Sequence, residues 1–121
     1  MAKVQLKGFL ESVTKIETFS NKNGNGETKV CRLRISVPAY VNGFGETVGE
    51  SSDFEVRVMN ARIESLPEGI KNTIKNLTTV DANIAERPKV SVEAYLNGRF
   101  VSGEKPFYAM ELSLNKLDLI S

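Results

Sequence analysis

The residues KVSVEAYLNGRFVSGEKPFYAMELSLN, 89–115, constrain this chain more than any other stretch. On the first arm Val90, Val92, Ala94 and Leu96 share one parity and Ser91, Glu93, Tyr95 and Asn97 the other, the period-2 pattern of a strand with one buried face. On the return arm Tyr108, Met110, Leu112 and Leu114 alternate with Phe107, Ala109, Glu111, Ser113 and Asn115. Gly98, Gly103 and Pro106 lie between the arms as turn punctuation. The pattern predicts a β-hairpin with a long tip. That tip holds Arg99, Phe100 and Lys105, a grouping that folding does not require and that nucleic-acid binding would use.

The rest of the chain reads in the same way. Residues 3–10 alternate Val4, Leu6, Gly8 and Leu10 against Lys3, Gln5, Lys7 and Phe9, a first strand. Residues 20–27, SNKNGNGE, are a polar loop tip whose steps Asn23-Gly24 and Asn25-Gly26 suit tight reversals. Residues 29–37 form a second strand, with Cys31, Leu33, Ile35 and Val37 inward and Arg32 and Arg34 projecting together outward. Residues 39–52 are a glycine-rich loop carrying Tyr40 and Phe44. Residues 53–59 form a third strand, with Phe54, Val56 and Val58 on the core parity and Glu55, Arg57 and Met59 opposite.

At Asn60 the period changes. Ile63, Leu66, Ile70, Ile74 and Leu77 recur at helical spacing, and Pro67 suits the first turn of a helix beginning near Ser65. Residues 78–87 are a polar connection, and Pro88 leads into the hairpin. The order is three strands, one helix, then two strands. This predicts an all-β fold, a five-stranded antiparallel OB-fold barrel with one helix between strands 3 and 4, as one domain over residues 1–121.

Composition narrows the class. With 40% hydrophobic and 26% charged residues, the disordered, collagen-like and disulfide-scaffold classes are disfavoured. Cys31 is the single cysteine, so no intrachain disulfide forms, which fits a reducing compartment. No signal peptide or membrane-length apolar run is legible, and a cytoplasmic protein without a membrane partner is expected. There is no histidine for a triad or zinc site and no Walker or Rossmann glycine pattern. No catalytic residue, metal site or cofactor is expected. Glu93 and Glu111 sit on outward parities of neighbouring strands and read as solvated carboxylates of an exposed sheet. The net charge of +1 announces no polyanion partner, although residues 1–40 carry seven cations against three glutamates and residues 41–66 are acidic.

Four stretches in chain order, KVQLKGFL, VCRLRISVP, DFEVRVMNARIESL, and KVSVEAYL with FYAMELSLNKLDLI, resemble the strands of bacterial-type single-stranded-DNA-binding proteins. The resemblance implies an OB domain that binds single strands with little sequence preference in replication, repair or recombination. Bases would stack on aromatics and cations would track the phosphates. It points to Tyr95, Phe100, Tyr40 and Phe44 as stacking platforms and to Arg32, Arg34, Arg57 and Arg99 as phosphate contacts. It also implies a homo-oligomer, dimer or tetramer. The family stacks bases on tryptophan, and this chain has none. Phe54 is the nearest match to one of those tryptophans, yet its parity places it in the core unless a bulge shifts the register. The sequence ends directly after the last strand, so recruitment of replication proteins by an acidic tail is not expected, as in a shortened phage, plasmid or primosomal member. The near-zero charge and the missing tryptophans keep a second reading open, an OB module for protein–protein assembly without nucleic acid. Oligosaccharide binding on the same fold has nothing specific in its favour.

Overall fold

A computed structural model describes residues 2–21, 24, 26–41 and 43–120, and for Tyr40, Val41, Thr47, Val48 and Arg99 it describes the backbone alone. The strands are β1 (Ala2–Thr14), β2 (Glu17–Ser20), β3 (Glu27–Val37), β4 (Tyr40–Val41), β5 (Thr47–Val48), β6 (Ser52–Met59), β7 (Asp81–Asn83), β8 (Lys89–Val101) and β9 (Phe107–Leu119). Two short helices, α1 (Ala61–Glu64) and α2 (Glu68–Lys75), lie between β6 and β7. The expected loop of residues 39–52 holds the small ribbon β4–β5. Of the two Asn-Gly steps expected in the first loop, Asn23 and Asn25 lie outside the described residues.

The sheet order β2-β3-β6-β9-β8-β1-β7, with β3 also paired to β1, closes β3, β6, β9, β8 and β1 into a five-stranded barrel. The expectation of a wholly antiparallel barrel is corrected, because β6 and β9 pair in parallel through Val56↔Leu112 and Arg57↔Ser113. The reason is topological. Strand directions cannot alternate all the way round a ring with an odd number of members, so one junction must be parallel. That junction is short, and beyond it β6 and β9 diverge.

The single expected helix is also corrected. Pro67 has no amide hydrogen to donate and disfavours helical geometry at the residue before it, so the helix stops at Glu64, with Ser65 as its C-cap, and restarts at Glu68. The apolar spacing survives the break, since Ile63, Leu66, Ile70 and Ile74 are all buried. The connection that follows is not wholly irregular. β1 runs past its expected end to Thr14, and β7 pairs with this extension through Ser12↔Asn83, Val13↔Ala82 and Thr14↔Asp81.

Two bulges explain how long strands stay wrapped on one core. In β1 the register slips between Leu10 and Ser12, leaving Glu11 as the extra residue, so the inward set passes from Leu10 to Val13. In the β8–β9 pair Glu93 faces Lys116 while Ala94 faces Leu114, so Asn115 is extra and the inward set passes from Leu114 to Leu117. The core they enclose includes Leu33, Ile35, Val56, Val58, Val90 and Val92 at full burial. Phe54 keeps the core parity and packs half-buried against this cluster. At Gly8 the backbones of β1 and β3 approach so closely that a Cβ would lie 2.3 Å from the Ser36 carbonyl oxygen.

Candidate nucleic-acid interface

Alternation sends Lys3, Tyr95, Ser113, Arg57 and Arg32 to the outside of the barrel, and register then aligns them. Lys3 on β1 pairs with Tyr95 on β8, Tyr95 with Ser113 on β9, Ser113 with Arg57 on β6, and Arg57 with Arg32 on β3. One row therefore crosses all five barrel strands as cation, aromatic ring, hydroxyl, cation, cation. The Lys3 ammonium sits 6.0 Å from the centroid of the Tyr95 ring. Arg57 donates from Nη2 to Ser113 Oγ at 3.4 Å, and its Nε–H is buried with no partner among the described residues.

Each cation of the row already faces a carboxylate. Lys3 pairs with Glu93 at 2.7 Å, Arg57 with Glu111 at 2.9 Å, and Arg32 with Glu55 at 3.2 Å and Glu17 at 4.0 Å. The hydrogen bond from Lys3 holds the Glu93 carboxyl below its ordinary range, and the same bond holds the Lys3 ammonium above its own. Glu93 and Glu111 are thus counterions of different cations rather than a mutually coupled acid pair. Arg34, two residues beyond Arg32, is exposed and makes no ion pair among the described residues. It borders a polar depression of about 300 Å³ that Asp53, Glu55 and Asp81 also line, so that depression carries more negative than positive charge.

The other expected site residues fall in two places. Phe44 lies in the turn between β4 and β5 and is 88% exposed. Tyr40 is on β4, its backbone paired with Val48, and Arg99 is on β8, paired with Ala109. Phe100 is not with Tyr95. Its even number puts it on the opposite face of the hairpin, where its ring meets Tyr108 edge-on at 5.3 Å between centroids. Cys31 is fully buried, and burial pushes its thiol up to about 11, which leaves no thiolate for nucleophilic chemistry at neutral pH.

Reading the sequence alone missed Lys3 and Ser113, which join the row only through cross-strand register. It also missed the exposed apolar residues Phe107, Tyr108 and Met110. Their parity was legible, but where the barrel stops covering the hairpin was not.

No family model and no curated protein matches the sequence. Among solved structures the chain is similar to the wild-type single-stranded DNA binding protein from Thermus aquaticus, at 15% identity and a TM-score of 0.56 over 100% of this chain and 50% of that one. A deletion mutant of that protein aligns at 13% identity and a TM-score of 0.56, over 100% of this chain and 51% of that one. A Plasmodium falciparum SSB complexed with ssDNA aligns at 17% identity and a TM-score of 0.48, over 99% of this chain and 93% of that one. The chain spans about half the length of the Thermus proteins. It has the fold of the single-stranded-DNA-binding proteins, at a divergent sequence. Among the described residues no helix is long and apolar enough to cross a membrane.

Proposed function

We propose that this protein binds single-stranded DNA without catalysis and with little sequence preference, along the outer face of its barrel. The observation that carries the reading is the row Lys3, Tyr95, Ser113, Arg57 and Arg32 across five strands. A stacked base on Tyr95 flanked by cations for the adjoining phosphates is the chemistry of sequence-tolerant strand binding. Arg34 extends the row along β3, and Arg99 on β8 with Tyr40 and Phe44 of the β4–β5 ribbon would engage the strand beyond the row. Single strands exposed during replication, repair or recombination are the substrate, and the protein acts as a dimer or tetramer.

The carboxylates shape this activity. A phosphate must compete with Glu55, Glu93 and Glu111 for the cations, so binding is weak and rises when those acids are removed. The same neutralisation supports the second reading, a protein–protein assembly module, more than the sequence alone did.

The test is fluorescence anisotropy of a labelled oligo-dT of roughly 30 nucleotides at low and high salt, with duplex as control. Saturable, salt-sensitive preference for the single strand is expected. Tyr95→Ala should weaken it by ~1–3 kcal/mol. Glu111→Gln should strengthen it, and the Arg32→Ala, Arg34→Ala double variant should flatten the salt dependence by about 0.7 per lost phosphate contact. A double variant that bound as well as wild type would rule out this face, and no binding at micromolar protein and low salt would favour the assembly reading.

A further inference from the structure

Arg87 stands in a backbone conformation that its side chain does not favour. Its φ is 42°, in the left-handed region that glycine enters freely and an L side chain enters at a cost. Its N–H donates to the Ile84 carbonyl at 3.2 Å, closing a turn just before Pro88 leads into β8. The turn aims the side chain at β1. There Nε donates to Glu11 Oε1 at 2.8 Å, Nη2 donates to the same oxygen, and the guanidinium carbon lies over the Phe9 ring, 5.2 Å from its centroid. The group is fixed along one edge and backed on one side, yet the side chain remains 54% exposed. Exposed ion pairs add little to stability, so these contacts explain poorly why the strain is kept, and strain held at an exposed polar group points to binding.

The charge around this group differs from that of the five-strand row, whose cations Lys3, Arg57 and Arg32 all face carboxylates. Lys7, two residues before Phe9 on the same outward parity, and Lys89, directly opposite Phe9 on β8, are exposed and make no ion pair among the described residues. The nearby acids are engaged or turned elsewhere. Glu11 is taken by Arg87, and Asp118, opposite Ser91, pairs with Lys116 at 3.6 Å. Glu86 lines a depression with Gly69, Ile70 and Thr73, and Asp53 lies beyond Ser36, two strands from Phe9.

We propose that Arg87, backed by Phe9 and clamped by Glu11, is a second stacking platform for a base of the bound strand, with Lys7 and Lys89 receiving the phosphates beside it. The inference rests on the reading of the protein as a single-strand binder and adds a direction to it, since the strand then leaves the row at Tyr95 and runs along β1. Lys3, opposite Tyr95, stands six residues before Phe9 on one face, about 20 Å of strand. About six nucleotides cover that span at the ~3.4 Å per phosphate of a stacked strand. A guanidinium plane takes a base as an aromatic ring does, whereas a lysine ammonium is a point charge without a plane.

The experiment is anisotropy of a labelled oligo-dT of roughly 30 nucleotides over a salt series, with thermal melts of every variant. Arg87→Gly removes the platform and relieves the backbone, so affinity should fall by about tenfold while the melting temperature holds or rises. Arg87→Lys keeps the charge without the plane, and should lose about fivefold or more with the salt slope unchanged. The double variant Lys7→Ala, Lys89→Ala should flatten the salt slope by about 0.7 per lost phosphate contact. A wild type that does not bind at micromolar protein and low salt would overturn the single-strand reading and this inference together. A wild type that binds, with Arg87→Lys its equal, would leave that reading standing and overturn the platform, whatever Arg87→Gly does. Affinity lost only in step with a lowered melting temperature would make Arg87 a structural clamp and overturn the platform as well. An unchanged slope in the double variant would overturn the path along β1.

Discussion

One pair of strands contains both the most buried and some of the most exposed large apolar residues of the molecule. Residues 90–94 and 112–117 of the hairpin close the core, whereas residues 100–110, continuing the same two strands, put Phe100, Tyr108 and Met110 into water. Alternation is identical in both halves. It specifies which face a side chain takes, and a neighbouring strand specifies whether that face is covered. Where β6 stays beside β9 the inward face is core, and where β6 turns away the same face is open to solvent.

The sharpest way to break this contrast is to truncate the same face in both halves. Leu114→Ala should cost about 2–5 kcal/mol in urea unfolding, whereas Tyr108→Ala should stay within about 0.5 kcal/mol for the isolated chain. Equal losses would mean that the outer half is packed within its own chain. The two glycines on the inward parity make a second pair. Gly8→Ala sets a Cβ against a backbone carbonyl that cannot yield, and should cost about 1–3 kcal/mol. Gly98→Ala meets the Met110 sulfur at 3.1 Å, the end of a flexible exposed side chain, and should be close to neutral. A destabilising Gly98→Ala would show that the outer arm is rigidly held.

The smallest effect belongs to the hairpin's outer face. Glu93 is held ionised below its ordinary range by the hydrogen bond from Lys3, so the pair stabilises the fold above the ordinary carboxylate range, and this is lost as pH falls through the lowered folded value. Lys3 is raised by the same bond, so its contribution is present below the ordinary lysine range and is lost as pH rises through the raised folded value. Both groups are exposed, so the effect should be small and should fade with salt. Denaturation midpoints against pH for wild type and Glu93→Gln should converge at both extremes, and parallel curves would show that the pair contributes nothing.

Much of the fold was legible because a buried face leaves a period in the residues. The inward sets of β1, β3, β6 and β8 and the buried isoleucines of the helices follow from spacing. The bulges left a trace as well, in the three-residue steps Leu10 to Val13 and Leu114 to Leu117, which interrupt a period of two. The candidate site was less legible. Arg32, Arg57 and Tyr95 were visible as outward residues, but their alignment with Lys3 and Ser113 depends on register between segments far apart in sequence. Their neutralisation by Glu55, Glu93 and Glu111 depends on the same pairing, which no single strand records.

Taken alone, then, the sequence determined the strands, their buried faces and the place of the helical segment, since each follows from side chains a few positions apart along the chain. Tertiary structure alone decided the parallel junction, the row across five strands and the point where the hairpin leaves the barrel. These depend on how strands meet around a closed ring, and ring closure is a property of the whole chain.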